Sequence, residues 1–323
     1  MSNPVGTVKE LWRYPVKSMV GESVASATIT AQGLTGDRQW AVRDESRGEL
    51  TVVRKNPRLL QCAARFAQAP EGNEIPAVII TLPDGRELSS DDPDCTTALS
   101  EHLRKPVTLW PLQPASNWRH YRLAEVGGAR DLKRQFGTRT LPDLSSVPMM
   151  LATQLSFFAT PPGRYHDVFP LHLLSTNALA AMAGIEPTGD FVVQRFRPNI
   201  VIASANPAAE FDDFSWVDGY LHVGDCVIKC ATRTVRCSAP AQPQYGGIAK
   251  DGKVVRALDR HTNRHLGINA TVASPGTLRV GDEVRWEPAR SLLPRSLLRL
   301  AAHAKNNMLH ATLTGLDIVT GKR

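Results

Sequence analysis

The 323-residue chain contains no apolar run approaching the ~20 residues that a membrane-crossing helix needs. Aromatic residues make up only 6%, and no basic stripe is interleaved with them. That removes the stacking platform on which a single-strand nucleic-acid binder relies, so nucleic acid is not an expected partner. The sequence has no Gly-x-Gly-x-x-Gly, no P-loop, no His-Glu-x-x-His and no Gly-x-Ser-x-Gly. It also lacks a Cys-x-x-Cys pair, and no cysteine follows Cys237, so neither a zinc ribbon nor a fused iron–sulfur module is encoded. The five cysteines (Cys62, Cys95, Cys226, Cys230, Cys237) are an odd number spread over a long chain, which argues against a disulfide scaffold. No secretory leader is readable in Met1-Ser2-Asn3-Pro4 or the charged stretch with Lys9 and Glu10, so a cytoplasmic location is expected.

What is present is an ordinary globular composition, 42% hydrophobic and 21% charged, with a net charge of +7 and a pI near 9.3. A basic balance of this size points to an anionic partner, polymeric or small. Short strand signals recur over the first hundred residues: Val24–Thr30, Trp40–Val42, Leu50–Val53 and Val78–Leu82, the last ending at the turn Pro83-Asp84-Gly85. A helix is predicted from an Asp94 cap through His102. The stretch from about Ser116 to Arg164, rich in Arg, Gly and Pro and weakly periodic, reads as a partly mobile connection. Strands then return, with a helix expected from Ser175 or Thr176 to Gly184. Val223-Gly224-Asp225 and Val280-Gly281-Asp282 read as two similar hairpin turns. A basic helix is predicted over 294–313, packing Leu297, Leu298, Ala301, Ala304, Met308 and Leu309 on one face.

Three short stretches could carry chemistry. They are Tyr14-Pro15-Val16-Lys17-Ser18 with Gly36-Asp37-Arg38 about twenty residues on, Arg195-Phe196-Arg197-Pro198-Asn199, and Thr234-Val235-Arg236-Cys237. Lys17, Arg38, Arg195 and Arg197 stand beside Pro or Gly turns that can hold a cation at a cavity rim, and such a cluster suits a phosphate. Ser175 and Thr176 at a helix start would add backbone donors to the same anion. The charge of Arg236 favours the thiolate of Cys237, a soft-metal ligand or nucleophile. Cys226 and Cys230 are expected in a core, and His166, His172, His261 and His265, which lack metal spacing, as surface or hydrogen-bonded residues.

Tyr-Pro-Val-Lys-Ser, Gly-Asp-Arg, Pro57-Arg58-Leu59, Arg-Phe-Arg-Pro-Asn, Arg-Cys and the closing Gly-Thr-Leu-Arg-Val-Gly-Asp-Glu-Val occur in one order between Val8 and Trp286. This ordered set resembles the MOSC family, the C-terminal domain of molybdenum cofactor sulfurase, together with the β-barrel domain that often precedes it. The layout is similar to the amidoxime-reducing component and its bacterial relatives. The resemblance implies a β-rich α+β fold: a β-barrel-like N-terminal domain over 5–115, a connection over 116–165, a MOSC β-barrel with a few helices over 166–288 and a basic helical tail over 289–323. It further implies a molybdenum cofactor (molybdopterin with Mo) whose metal is held by Cys237. Lys17, Ser18, Arg38, Arg197, Asn199, Ser175 and Thr176 would bind the cofactor, with Arg54, Arg195 and Arg236 as further contacts. The implied activity is reduction of a small N-hydroxylated or related N–O substrate, with electrons from a separate flavin or iron–sulfur protein. A specialised biosynthetic enzyme, or a carrier of cofactor or sulfur on the Cys237 thiolate, is the alternative. Many relatives continue the Arg-Cys motif with two threonines, and this chain has Ser238-Ala239-Pro240-Ala241-Gln242 in that place.

Overall fold

Alternation of buried and exposed side chains gives the first strand, Asn3–Arg13, an inward face carrying Val8 and Leu11. In the computed structural model, which describes residues 2–72, 74–145, 147–290 and 295–321, that strand completes a closed barrel of seven strands. Its neighbours are Ile200–Ser204 on one side and Glu283–Pro288 on the other, both antiparallel. The rest of the ring runs from Ile200–Ser204 through Leu171–Ser175, His265–Ser274, Cys226–Val235 and Gly219–Val223 to Glu283–Pro288. Only the pairing of Leu171–Ser175 with Ile200–Ser204 is parallel, and the helix Thr176–Ile185 lies in the connection between them. Leu173, Ile202, Ile228, Ile268 and Val284 join Val8 and Leu11 inside the barrel, with Cys226 and Cys230 among them. The first strand of the chain is therefore a stave of the barrel built otherwise from residues 171–288.

The remainder of the N-terminal region is strand-rich and wraps a separate core of Val16, Met19, Val42, Leu59, Ile80, Leu99 and neighbours. Its sheets are small: Trp40–Asp44 between Val107–Pro111 and Glu49–Leu50, and Val78–Thr81 between Ala63–Phe66 and Glu87–Ser89. The strand expected over Leu50–Val53 is thus shorter and earlier. The helix Pro93–Leu103 begins one residue before its predicted cap, because the cap is Asp92, whose carboxylate accepts the Asp94 N–H, and Pro93 occupies the first helical position. The two Val-Gly-Asp turns also differ. The first closes a hairpin between Gly219–Val223 and Cys226–Val235, whereas Gly276–Arg279 leaves the barrel to pair with Ser26–Thr30.

The connection over 116–165 is more structured than its weak periodicity predicts. It contains the helices Ala129–Phe136 and Met149–Phe157, and Tyr121 and Tyr165 anchor it in a buried cluster with Ala41 and Leu50. The C-terminal helix, Arg295–Val319, packs on both of those helices. Its buried side chains are Leu309, Leu313 and Asp317, one turn apart, while Leu297, Ala301, Ala304 and Met308 of the expected face are exposed. The Leu298 side chain lies outside the described residues.

Candidate functional site

Two loops of the N-terminal region zip together to present the first cations. Arg38 N–H donates to Tyr14 O at 2.7 Å, Trp40 N–H to Pro15 O at 2.9 Å and Lys17 N–H to Trp40 O at 2.8 Å. The buried Asp37 carboxylate closes the zip, accepting from Tyr14 N–H at 2.8 Å and lying 3.2 Å from His166 Nε2. Ser18, Arg38 and Arg197 all have left-handed backbone, with φ of 71°, 51° and 54°. Each belongs to a motif singled out in the sequence, and non-glycine residues adopt this conformation only where the surroundings enforce it.

The second half of the site comes from the barrel. Arg197 is bonded to Met19 O, and its guanidinium lies 4.3 Å from the centre of the Tyr14 ring, with that of Arg38 at 5.3 Å. Arg236 donates to Phe196 O at 2.7 Å and lies 3.3 Å from His172 Nε2, while its Nε is buried without an acceptor among the described residues. Cys237, partly buried, follows directly in the chain. Lys17, 3% exposed, donates to Tyr165 O at 2.8 Å and to Asp167 at 2.5 Å, and that carboxylate is 72% exposed. Arg54 stands on the same rim, close enough for its charge to bear on Lys17 and Asp167.

These groups perturb one another in a consistent direction. Burial pushes the Lys17 amine down, partly offset by Asp167. Burial likewise lowers Arg197 and Arg236 to about 10. Burial works against the Asp37 carboxylate, but Arg38 and then His166 outweigh it and hold the group below the usual range. His172 stays well below the ordinary imidazole value because it is buried and then because Arg236 stands beside it. Lys17, Arg38, Arg54, Arg197 and Arg236 thus converge, with Asp37 and Asp167 as their nearby carboxylates. The excess of positive charge around the buried Lys17 and the orphaned Arg236 Nε fit an anion, and the thiol next to Arg236 fits a soft metal.

Four expected residues play other parts. Arg195 is fully buried, and its guanidinium is spent on Asp190 and on the carbonyls of Pro240, Gln242 and Ala249. It pins the loop that follows Cys237. Asn199 accepts from His172 N–H at 3.1 Å and donates to Trp12 O at 3.3 Å, so it splices strands. The Ser175 hydroxyl accepts from Ala178 N–H as a helix cap, and that of Thr176 accepts from Ser204 N–H. Both sit three to four residues along their strand from His172, ~10 Å or more away at ~3.3 Å per residue. The structure does not bring them to the cluster. Tyr14, Asp37, Asp167 and His172 were not assigned roles from sequence. A histidine inside the otherwise apolar run Leu171–Leu174 was the readable signal.

The MOSC N-terminal beta barrel domain matches residues 5–113 and the MOSC domain matches residues 162–285. The chain belongs to the MOSC family. Its MOSC segment holds His172, Arg197, Arg236 and Cys237, and the preceding domain holds Lys17, Arg38 and Arg54. Mitochondrial amidoxime-reducing component 1 of Mus musculus is 27% identical over 319 residues, spanning 87% of this chain and 82% of the relative. The protein of the same name from Homo sapiens is 28% identical over 311 residues, with the same coverage. Molybdenum cofactor sulfurase of Oryza sativa subsp. japonica is 23% identical over 223 residues, covering 63% of this chain and 25% of that protein. Among solved structures, the YUAD protein from Bacillus subtilis covers 90% of this chain and 100% of its own at 11% identity, with a TM-score of 0.44. Among the described residues no helix is long and apolar enough to cross a membrane.

Proposed function

We propose that this protein is a molybdenum-cofactor-dependent oxidoreductase that reduces N-hydroxylated or related N–O compounds, with electrons from a separate flavin or iron–sulfur reductase. The observation that carries the reading is the convergence of three left-handed motif residues with the buried Lys17 and the partly buried Arg38, Arg197 and Arg236, the last of which directly precedes Cys237 in the chain. The names of the amidoxime-reducing relatives support the reaction class.

In this reading Lys17, Arg38 and Arg54 hold the phosphate of the cofactor, with Ser18 beside them. Asp167 holds the Lys17 ammonium, and its carboxylate is largely exposed, so a bound phosphate would take up the same ammonium. Arg197 and Arg236 flank the organic part, and Cys237 is the metal ligand. When bound, the cofactor would supply two-electron redox chemistry, for a net R–NHOH + 2 H⁺ + 2 e⁻ → R–NH₂ + H₂O. The protein binds and orients. Arg195 fixes the loop after Cys237, and Asn199 sets His172 behind Arg236.

The test is elemental analysis of protein from a molybdate-replete host, with about one molybdenum per chain expected. Cys237→Ser is expected to remain folded and to lose the metal. Full reductase activity in that variant overturns the ligand assignment. A labile persulfide on Cys237 without molybdenum would favour a sulfur or cofactor carrier, the reading that the partial match to molybdenum cofactor sulfurase supports.

A further inference from the structure

Beside the phosphate end of the site lies a cavity of about 580 Å³, within the ~300–1,000 Å³ range of small-molecule sites. Arg54 and Asp167 form its border with the cluster around Lys17. Its roof is built from the connection and the C-terminal helix, through Leu132, Phe136, Leu155 and Leu313, and its floor includes strand residues Arg233 and Val235. Cys237 does not line it.

Most cations around this cavity have a carboxylate beside them. Arg47 and Lys55 are paired with Glu49, Lys105 with Asp44 and Arg134 with Asp131, and the carboxylates of Glu125 and Asp143 also line the cavity. Arg54 stands beside Asp167 and belongs to the cluster around Lys17. Arg233, from the barrel, has no hydrogen-bonded carboxylate or carbonyl among the described residues, and its guanidinium rests 4.4 Å from the centre of the Phe214 ring. An apolar roof beside this guanidinium is complementary to a molecule with an apolar body and an anionic end.

We propose that this cavity binds an amphipathic organic acid, an aryl or alkyl carboxylate or sulfonate, with its anionic group at Arg233 and its body under the helical roof. That this molecule is the substrate, or the part of the substrate remote from the N–O group, rests on the function proposed above. The binding itself does not.

The experiment titrates the intact protein with 1-anilinonaphthalene-8-sulfonate and then competes the dye with dodecanoate. Saturable binding at about one site per chain, displaced by dodecanoate, is expected. Arg233→Ala should weaken the sulfonate about tenfold and leave the uncharged N-phenyl-1-naphthylamine within twofold. Ala152→Trp, which fills the cavity from the helix Met149–Phe157, should abolish binding of both probes, and Leu155→Trp serves if that variant does not fold. Non-saturable dye uptake, sulfonate binding unchanged in Arg233→Ala, or binding unchanged in a folded cavity-filling variant would overturn the proposal. The two claims separate cleanly: dye binding in protein that takes up no molybdenum keeps this site and removes the reductase, whereas molybdenum without dye binding does the reverse.

Discussion

Arg197 illustrates how a single residue serves backbone and charge together. Its φ of 54° costs an L-residue about 1 kcal/mol, and its guanidinium is buried against Tyr14. Arg197→Gly should therefore leave the melting temperature nearly unchanged or raise it slightly while lowering molybdenum content severalfold, and Arg197→Lys should retain more metal than Arg197→Gly. Metal analysis and calorimetry on the same preparations check this. Arg195 should behave in the opposite way. Removing its buried charge in Arg195→Met leaves Pro240, Gln242 and Ala249 carbonyls without their donor, a loss of about 3 kcal/mol in urea unfolding. Sequence placed both arginines in the same motif and gave both the same role. What separated them was which carbonyls the fold brings within reach, and nothing in Arg-Phe-Arg-Pro-Asn encodes a loop more than forty residues downstream. The Lys17, Arg38, Arg197 and Arg236-Cys237 motifs were legible as short local patterns, whereas their meeting, like the roles of Asp37 and His172, depends on long-range pairing.

Among the elements, the C-terminal helix departs furthest from its amphipathic pattern. It is held to the connection by polar ties as much as by apolar ones. Asp317 accepts from Arg130 N–H at 2.8 Å, Asn306 accepts from Leu144 N–H at 2.7 Å and His310 Nε2 meets Pro142 O at 2.9 Å. Periodicity reports only buried apolar faces, so a helix anchored through Asp317 and Asn306 is invisible to it. Gly128 is the counterpart on the connection: a Cβ there would stand 2.0 Å from Asp317 Oδ1. Gly128→Ala should therefore loosen the helix from the roof, seen as faster amide exchange and earlier proteolysis over residues 300–320 with the barrel signals unchanged. Equal protection in wild type and variant would refute the contact. The strands, by contrast, were legible in kind and inexact in extent, because alternation marks a strand and its partners decide where it stops.

For the molecule as a whole, three buried histidines dominate the response to mild acid. Burial lowers His120 to about 4 and depresses His166 and, further, His172, below the value near 6.5 at which they titrate in the unfolded chain. Below pH 6.5 the unfolded chain therefore takes up protons more readily at these positions and stability falls, by up to about 1.4 kcal/mol per histidine per pH unit, while Asp213, raised by burial to about 7, offsets one of them. A melting temperature that is flat between pH 7 and pH 5 would contradict this. The acidic limb belongs to Asp37, whose depressed ionisation adds stability above its unfolded value and loses it only at still lower pH.

The ring that ends at Pro288 begins at Asn3, and this has a consequence during synthesis. The residues made first must wait for partners near positions 200 and 285 before their backbone groups are satisfied, so the nascent chain carries an open edge through most of translation. Slow, late closure of this kind exposes strand to strand between neighbouring chains on a polysome. Expression at reduced temperature should improve recovery of monomer, and a bulky fusion at the amino terminus, beside the final seam, should harm it more than one at the carboxyl end.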